Sequence, residues 1–420
     1  MNSNIFTVDI PHGKTLLLDF TLGTFKISSL SSSEERPALT SEVPNWQACQ
    51  RIKDLCETRA SHLSVVFVPS LSCNLKCTYC FESESPFLKN SFLMKNIPLE
   101  SIVDAIRYLV LKLDISSVSY SLFGGEPLVG VNLSWYRRLL NQLEVLPFNR
   151  DTLCVTNGTS QRGIDESLRW KLRIDEYQIS LDGIRSVHNS RRIGNRSFER
   201  TIWAINRILE EGRKVSVRVN VDSNNVRNLP QLATLVENER WTKNSNFSMY
   251  LYPVVSESAP NSPHHETELL KNCLSHSKDL KQIPWSFDFH GISAVDSIIK
   301  DSEMYLPRLH YCAAQRNQIV FLPDGSISAC EWVNGFDELK VGYWSGDKYK
   351  FILTKFDELN LRNSSRIQAC QDCTFRFFCG GGCSYKALSQ NKSLSIPTCP
   401  PIAANIEAYV QFLAFRGELS

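Results

Sequence analysis

Six short runs of β-branched and aromatic residues alternate with amphipathic helical stretches, and this alternation constrains the fold more than any other feature of the chain. The predicted strands span residues 64–68, 118–123, 152–156, 176–181, 215–221 and 247–253. The predicted helices span residues 102–113, 135–146, 165–172, 198–211 and 229–238. Strands that alternate with helices form parallel sheets with right-handed crossovers. The pattern predicts an α/β fold and leaves open a doubly wound sheet and a partial barrel.

Fourteen cysteines are the most informative part of the composition of this 420-residue chain. No apolar run is long enough for a membrane-spanning helix, and the N-terminus lacks the features of a secretory signal. We therefore expect a cytoplasmic protein without a membrane partner. Because disulfides are rare in the cytoplasm, so many cysteines indicate metal ligands.

Three of these cysteines, Cys73, Cys77 and Cys80, follow the first predicted strand. Three thiolates on one short loop can hold three irons of a [4Fe–4S] cluster and leave the fourth iron open to another ligand. Zinc, or a structural thiol cluster, is the alternative, although zinc sites usually pair cysteines in two knuckles. The second predicted strand ends in Gly124-Gly125-Glu126-Pro127, where the glycines allow a ligand to approach the backbone. The carbonyl groups of this turn and its carboxylate suit an ammonium group.

Four motifs at successive strand ends resemble the radical S-adenosylmethionine (SAM) superfamily. They are the CxxxCxxC triplet, the GGEP turn, Thr156-Asn157-Gly158 and Ser180-Leu181-Asp182-Gly183. The resemblance implies a partial (β/α)6 barrel similar to a TIM barrel, with the active site at its carboxyl end. It also implies that SAM binds the open iron of a [4Fe–4S] cluster and is cleaved reductively to a 5′-deoxyadenosyl radical.

The same resemblance gives roles to individual residues. Cys73, Cys77 and Cys80 would bind iron. The SAM contacts would come from residues near the strand ends, namely Tyr79, Gly124, Gly125, Glu126, Ser180, Asp182 and Arg192. Tyr79 would pack near the adenine, the GGE turn would meet the methionyl amino group, and Ser180 with Asp182 would lie near the ribose. Arg192 would pair with the methionyl carboxylate, in a segment where Asn189 replaces the acid of the family pattern. A solvated charge for Arg192 and core packing for Tyr79 are the alternatives.

Seven cysteines crowd the last quarter of the chain: Cys312, Cys330, Cys370, Cys373, Cys379, Cys383 and Cys399. They exceed what one zinc ion or one iron–sulfur cluster uses, although a pair of zinc ribbons is an alternative. The pattern resembles the SPASM extension of radical SAM peptide-modifying enzymes, which carries two auxiliary iron–sulfur clusters. By that resemblance Cys370, Cys373, Cys379 and Cys399 hold a distal cluster.

The proximal cluster would be held by Cys312, Cys330 and Cys383, with its fourth position open or filled from elsewhere. The remaining cysteines, Cys49, Cys56, Cys154 and Cys273, are expected to be buried hydrophobic residues.

These patterns divide the chain into four predicted parts. Residues 1–63 form a small β-rich element, with strands near 6–10, 16–20 and 25–27, that binds a leader peptide or acts as a lid. Residues 64–254 form the barrel, residues 255–304 a linker or bridging helical region, and residues 305–420 the cysteine-rich extension.

The function predicted from this organisation is maturation of a ribosomally made precursor peptide. The enzyme would abstract a hydrogen and install a thioether, C–C or C–O crosslink, or another oxidative modification. Its partners would be the precursor peptide with its leader and a low-potential electron donor such as flavodoxin or ferredoxin. A sulfatase-maturing enzyme that forms formylglycine is the first alternative. A non-catalytic zinc or iron–sulfur module that binds nucleic acid is the second, and the net charge of +2 counts against it.

Overall fold

The computed structural model describes residues 5–11, 13–20, 24–29, 61–85, 96–170, 174–254, 263–300, 307–332 and 335–419. Every structural statement below concerns these residues. The strands are β1 (Ile5–Ile10), β2 (Lys14–Asp19), β3 (Thr24–Ser29), β4 (His62–Phe67), β5 (Lys76–Cys77), β6 (Ser117–Leu122), β7 (Asn149–Thr156), β8 (Glu176–Ser180), β9 (Arg192–Ile193), β10 (Lys214–Val221), β11 (Phe247–Pro253), β12 (Ser286–Phe287), β13 (Gln318–Phe321), β14 (Ser326–Ser328), β15 (Lys340–Trp344) and β16 (Tyr349–Phe351).

The helices are α1 (Leu99–Leu113), α2 (Gly130–Leu143), α3 (Gln161–Ser167), α4 (Arg185–Arg191), α5 (Ser197–Glu210), α6 (Leu229–Asn238), α7 (Pro263–Ser277), α8 (Ile292–Lys300), α9 (Leu353–Leu361), α10 (Arg376–Cys379), α11 (Ser384–Asn391) and α12 (Ile402–Phe415). No helix among the described residues has both the length and the apolar character that crossing a bilayer would require.

The six predicted strands are β4, β6, β7, β8, β10 and β11, and they are neighbours in one sheet in this order. Each neighbouring pair is parallel. The predicted helices correspond to α1, α2, α3, α5 and α6, which connect these strands. The predicted α/β fold with a parallel six-stranded core is therefore confirmed. Helix α4 was not predicted, since its sequence RSVHNSR has no apolar stripe.

The core lies between the sheet and the apolar faces of the helices. In α1 the predicted face is buried, with Ile102, Ala105, Ile106 and Leu109 inside the core. In β10 the apolar residues Val215, Val217, Val219 and Val221 alternate with Ser216, Arg218 and Asn220. Successive strand residues point to opposite faces, so these polar residues share the face away from the four valines.

The sheet extends beyond the six predicted strands on both sides. Strand β12 joins β11, and β13 from the cysteine-rich extension joins β4 in a parallel arrangement. The backbone N–H of Ser64 donates to the carbonyl of Asn317 at 2.8 Å, and that of Val68 donates to Phe321 at 2.9 Å. Phe67 and Phe321 stack with ring centroids 5.6 Å apart. One 11-stranded sheet thus contains strands from both the predicted barrel and the extension.

The predicted β-rich element is an antiparallel meander in the order β1-β2-β3. Phe6 lies edge-on to Phe375 at 5.2 Å, and Phe20 stacks on Phe378 at 5.9 Å. These aromatic contacts hold the meander on the cysteine-rich extension. Residues 30–60, with Cys49 and Cys56, lie outside the described residues, as do residues 255–262 of the predicted linker.

Candidate active site

The loop that carries the cysteine triplet leaves the carboxyl end of β4 and is tied down by a short antiparallel ladder. Strands β5 and β9 pair there, and Cys77 lies opposite Arg192. The backbone N–H of Thr78 donates to the carbonyl of Arg191 at 2.9 Å. Nδ2 of Asn157, at the end of β7, donates to Sγ of Cys73 at 3.7 Å. The cysteine loop is therefore held against β9 and against the end of β7.

The GGEP turn after β6 packs directly against the start of this loop. Gly125 has a φ of +55°, and a Cβ placed on it would lie 2.3 Å from the carbonyl oxygen of Ser72. Only glycine fits this left-handed, crowded position. The backbone N–H of Glu126 donates to that same Ser72 oxygen at 2.9 Å. The sequence predicted that a ligand approaches the backbone of this turn closely. In the structure the cysteine loop of the protein itself lies in close contact with that backbone.

The Glu126 carboxylate differs from the expectation that it meets a ligand ammonium group. Its side chain is 0% exposed. Oε1 accepts hydrogen bonds from Oγ1 of Thr156 at 2.6 Å and the backbone N–H of Leu128 at 3.0 Å. Oε2 accepts one from the N–H of Asn157 at 2.7 Å. The carboxylate thus joins the ends of β6 and β7, because three protein donors satisfy it inside the core.

Tyr79 lies at the centre of a hydrogen-bonded group that unites several predicted residues. Its hydroxyl donates to Oδ2 of Asp182. The Tyr79 hydroxyl oxygen in turn accepts from Nη1 of Arg192 at 2.7 Å and from Nδ2 of Asn220 at 3.2 Å. The guanidinium of Arg191 lies 4.8 Å from the Tyr79 ring centroid. Tyr79 is therefore more than a core aromatic, because its hydroxyl bonds to the charged groups of Asp182 and Arg192 and to the amide of Asn220.

Arg192 is buried. This excludes the alternative that it is a solvated surface charge, which the sequence had left open beside the role of SAM ligand. Although burial alone would lower its pKa, Tyr79, Cys77 and Asp182 hold the pKa of Arg192 above its ordinary value. Its Nε, inside the protein, has no hydrogen-bond partner within the described residues. A buried cation with an unused donor is suited to an anionic ligand group.

Asp182 and Ser180 follow β8 into the same region. Asp182 is buried and accepts from the backbone N–H and Nδ2 of Asn220, both at 3.2 Å. Ser180 is half-buried and shares a strand face with Gln178, whose Oε1 accepts from the Tyr250 hydroxyl. The structure thus joins Asp182 to the Tyr79 group, and it places Ser180 two residues earlier, as the last residue of β8.

Sequence reasoning missed Arg191, Asn157 and Asn220 as site residues. Arg191 makes a 2.6 Å ion pair with Asp222 and a longer one, of 3.6 Å, with Asp182. Asn157 was noted only as part of a motif, and Asn220 lies within a strand. The alternation of polar and apolar residues in β10 was the one signal that could have identified Asn220.

The electrostatics of the triplet show that its thiols are neighbours. Desolvation is the largest of the effects that bring the pKa of Cys77 to about 11; Cys80 and Cys73 also raise this pKa, and Arg192 lowers it. The pKa of Cys73 is raised in the same way, with Cys80 among the causes. Metal binding must therefore displace protons from these thiols.

The seven C-terminal cysteines form two further neighbouring groups. Desolvation and the neighbouring thiols of Cys379, Cys373 and Cys399 together raise the pKa of Cys370 to about 11. Cys399 interacts with Cys373. Cys312 and Cys330 each interact with Cys383. The resemblance assigns the same cysteines to distal and proximal clusters, and that assignment stays a prediction.

A glycine-rich loop brings Cys383 to the proximal set. A Cβ on Gly380 would lie 2.2 Å from the carbonyl carbon of His310, next to the segment that leads to Cys312. Nε2 of the buried Gln315 donates to the carbonyl of Gly382 at 3.2 Å. The Arg362 guanidinium donates to the carbonyls of Gly381 and Gly382. This packing explains how a cysteine that follows Cys379 by four positions joins a different group.

The residues fit iron–sulfur clusters in the chemistry of their donors and in the space beside them. Ten thiols fall into three groups, and a cavity of about 450 Å³ is open beside Cys379, Cys383 and Cys399. Among the described residues, no three His, Cys, Asp or Glu side chains converge on a point suited to a single metal ion. Cys154 and Cys273 belong to none of the three groups and are fully buried, as predicted.

The same cavity has a polar wall at the carboxyl end of β11. Nδ1 of His290 lies 2.8 Å from Oε2 of Glu266, and its Nε2 lies 2.8 Å from the Tyr311 hydroxyl. Asp288 and Tyr252 line the wall beside them. Burial raises the pKa of Asp288, while Arg218, His290 and Arg308 lower it. The cavity therefore joins the carboxyl end of β11 to cysteines of both C-terminal groups.

Comparisons with known proteins agree with this site. Residues 67–236 match the Radical SAM superfamily. The cysteine-type anaerobic sulfatase-maturating enzyme of Clostridium perfringens (strain 13 / Type A) is 27% identical over 347 residues, which are 76% of this chain and 88% of that enzyme.

Two solved structures share the fold. Native anSMEcpe with bound AdoMet and Cp18Cys peptide has a TM-score of 0.59 and 18% identity, over 85% of this chain and 97% of that one. Streptococcus suis SuiB bound to precursor peptide SuiA has a TM-score of 0.55 and 15% identity, over 96% of this chain and 100% of that one.

The related structures of anSMEcpe and Streptococcus suis SuiB were also solved with S-adenosylmethionine bound. Residues 67–236 thus match the Radical SAM superfamily and are followed by a cysteine-rich C-terminal extension, and 76% of the chain is similar to a cysteine-type anaerobic sulfatase-maturating enzyme.

Proposed function

We propose that this enzyme modifies a ribosomally made precursor peptide, beginning with abstraction of a hydrogen from one of its residues and ending in a crosslink or another oxidative change. The observation that carries the proposal is the arrangement of ten cysteines in three groups of neighbours. A cavity runs from the carboxyl end of β11 to cysteines of the two C-terminal groups. Such an arrangement suits a reaction in which a substrate radical must lose an electron close to where it forms.

The site residues act in this proposal as follows. Cys73, Cys77 and Cys80 bind the cluster that holds SAM, which supplies a 5′-deoxyadenosyl radical when it is reductively cleaved. Arg192 offers its buried guanidinium to the methionyl carboxylate. Tyr79 orients that guanidinium through the 2.7 Å hydrogen bond. Asp182 accepts from Tyr79 and so fixes the orientation of its ring.

In this proposal the backbone of the GGEP turn after β6 contacts SAM, whereas the side chain of Glu126 positions the turn. The backbone carbonyls of Gly124 and Gly125 face the methionyl amino group, and Ser180 lies near the ribose. The Glu126 carboxylate holds β6 to β7 and keeps the turn against the cysteine loop. Its contribution to binding SAM is therefore the positioning of the turn.

The C-terminal thiols complete the assignment. Cys370, Cys373, Cys379 and Cys399 bind the distal auxiliary cluster, and Cys312, Cys330 and Cys383 bind the proximal one. The peptide occupies the remaining part of the cavity, against Tyr252 and Asp288. SuiB and anSMEcpe, which share this fold, were solved with peptides bound, and this supports a peptide substrate here.

The meander β1-β2-β3 binds the leader segment of the precursor in this proposal. Its outer strands β1 and β3 each pair with a single strand within the described part of the chain. An extended peptide can add to such an edge through backbone hydrogen bonds. The likeness to SuiB, which spans 96% of the chain, extends into this region, and this supports the assignment.

The test is co-expression of the chain with short open reading frames that neighbour its gene, followed by mass analysis of each peptide. A loss of two hydrogens per event, dependent on Cys77, is the expected result. Cys77→Ala is the matched inactive control. Peptides of unchanged mass beside an enzyme that still cleaves SAM would reject the peptide-maturase proposal.

A second candidate function is oxidation of a cysteine in a sulfatase to formylglycine. The sequence match to the Clostridium perfringens enzyme, which spans 88% of that protein, favours it. The two functions are separated by giving the reconstituted enzyme a synthetic peptide with a sulfatase-type cysteine motif. Conversion of the thiol to an aldehyde would establish the second function, and an unmodified cysteine would exclude it.

A further inference from the structure

One buried arginine binds the loop that joins the two C-terminal groups of cysteines. Arg362 is 4% exposed and is the first residue after α9. Its Nη1 donates to the carbonyl of Gly382 at 3.0 Å, and its Nη2 donates to the carbonyl of Gly381 at 3.2 Å. These two glycines lie between Cys379, a predicted distal ligand, and Cys383, a predicted proximal ligand. The guanidinium is therefore bound to the backbone that separates the two groups.

The same guanidinium also contacts the segment that leads to another distal cysteine. Nη2 of Arg362 donates to the carbonyl of Ile396 at 3.4 Å, and Cys399 follows in the same segment. The backbone N–H of Thr398 donates to the carbonyl of Gly381 at 3.3 Å, which holds this segment against the glycine loop. Arg362 is thus fixed to two loops that together carry cysteines of both groups.

The positive charge of Arg362 is not balanced by a carboxylate. Within the described ranges of the chain, its side chain forms no ion pair with Asp or Glu. Three backbone carbonyls accept from its two Nη atoms, while its Nε, inside the protein, has no hydrogen-bond partner among the described residues. A buried charge is costly unless an opposite charge lies near it. Arg362 therefore requires an anionic group other than the described carboxylates.

The cysteines of the two groups supply such anionic groups when they bind metal. Burial lowers the pKa of Arg362, whereas the proximal thiols of Cys383 and Cys312 and the distal thiols of Cys370 and Cys379 raise it. The charge of one guanidinium thus acts on both groups. Because cysteine binds metal as the thiolate, an iron–sulfur cluster in either group adds negative charge near Arg362.

We propose that Arg362 is the shared counter-charge of both auxiliary clusters and raises the reduction potential of each. This inference rests on the proposed function, because it requires clusters in both C-terminal groups. One-electron reduction adds a negative charge to an iron–sulfur cluster, and a nearby buried cation favours the reduced form. The raised potential favours the transfer in which a substrate radical is oxidised by one electron and a cluster is reduced by one.

The experiment compares three variant holoenzymes with the unaltered enzyme. Arg362→Gln removes the buried charge and keeps a side chain that can donate a hydrogen bond. Arg362→Lys keeps the charge, but its single ammonium group cannot reproduce the planar fork that reaches three carbonyls. Arg366→Gln is the matched control, because it removes an equal charge from an exposed side chain of the same segment.

The reduction of each cluster is followed by electron paramagnetic resonance during an anaerobic redox titration. Signals that change when SAM is added belong to the triplet cluster and are set aside. Arg362→Gln should lower the equilibrium constant for reduction of both other clusters about tenfold, which corresponds to about 59 mV for one electron. Arg362→Lys should stay within about threefold of the unaltered enzyme, and Arg366→Gln within about twofold, because water screens an exposed charge.

A purely structural role for Arg362 predicts a different pattern. Gln and Lys both lose the contact with three carbonyls, so a structural role would change the potentials of the two variants equally. Equal decreases in Arg362→Gln and Arg362→Lys would therefore overturn the proposal. A decrease in only one cluster of Arg362→Gln, or in neither, would overturn it as well.

A second measurement needs no substitution and decides the matter if Arg362→Gln loses its iron. The unaltered holoenzyme is prepared with ¹⁵N in its arginine guanidinium groups, and the reduced clusters are examined by electron–nuclear double resonance. A ¹⁵N coupling that disappears in Arg362→Lys is expected in the signals of both auxiliary clusters. Its absence from either signal would overturn the proposal. Failure of the proposed function would appear separately, as iron sufficient for the triplet cluster alone or as unmodified peptide beside an enzyme with all its clusters.

Discussion

At the scale of single residues, the triplet cysteines are the most directly testable feature. Replacing Cys73, Cys77 or Cys80 with Ala removes one iron ligand, so we expect reductive cleavage of SAM to fall to background. The measurement is 5′-deoxyadenosine production by the anaerobically reconstituted protein. Cys273→Ala is the matched control, because that thiol is fully buried in α7 and belongs to none of the three groups. Substantial 5′-deoxyadenosine from any triplet variant would contradict the assignment of that cysteine.

His188 makes stability depend on pH. It is 0% exposed, and burial lowers its pKa to about 4, with Asp182 opposing the shift. A folded-state pKa below the unfolded one means that protons bind the unfolded chain more readily, so stability is lost as the pH falls below about 6.5. At about pH 5.5 the loss is on the order of 1.4 kcal/mol, since one pKa unit corresponds to that free energy.

The His188→Gln variant should therefore lose less thermal stability than the unaltered protein between pH 7.5 and 5.5. The measurement is anaerobic thermal unfolding at several pH values. His276→Gln, in α7, is the control and should follow the unaltered protein. Parallel curves for His188→Gln and the unaltered protein would show that His188 does not cause the dependence.

At the scale of elements, the contact between the GGEP turn and the cysteine loop positions the site. In Gly125→Ala the new Cβ would meet the backbone of Ser72, which cannot rotate away as a side chain could. We expect the turn and the loop to separate, with at least a tenfold weaker affinity for SAM. The measurement is SAM binding by equilibrium dialysis, together with iron content.

Gly212→Ala is the matched control for this prediction. Gly212 also has a positive φ, of +66°, but its Cβ would meet nothing within 4 Å. It therefore carries the strain of a left-handed backbone, of order 1 kcal/mol, without the steric clash. Equal losses of SAM affinity in the two variants would attribute the effect to backbone strain and not to the contact with Ser72.

At the scale of the whole molecule, the extension completes the sheet. Strand β13 covers the edge of β4, the strand that leads to the cysteine triplet. A chain cut after residue 304 would expose that edge and the apolar residues packed beside it, such as Phe67. We expect the truncated protein to aggregate and to lose the triplet cluster. The measurement is size-exclusion chromatography with iron analysis.

The control for the truncation is the full-length chain with Cys370→Ala and Cys373→Ala, which keeps β13 and disrupts the distal cluster. This variant should remain monodisperse and cleave SAM without modifying the peptide. A truncated chain that stays monomeric and cleaves SAM would show that the extension is dispensable for the sheet.

Much of this arrangement could be read from local sequence. The period of two in β10 and the apolar stripe of α1 predicted their strand and helix, because these periodicities follow from local backbone geometry. Helix α4 was missed for the same reason, since it lacks an apolar stripe. The two-residue strands β5 and β9 were also missed, because such short strands have no periodicity of their own. Their pairing joins Cys77 to Arg192, which are far apart in the sequence.

The sequence by itself determined that six strands alternate with helices in a parallel arrangement and that the cysteine loop follows β4, because spacing and local backbone preference encode these features. Only the tertiary structure decided that Glu126 joins two strand ends, that Tyr79 links Asp182 to Arg192, and that β13 completes the edge of β4. These outcomes depend on contacts between distant segments. Such contacts are fixed by burial and by the pairing of polar groups in the packed molecule, which no local pattern records.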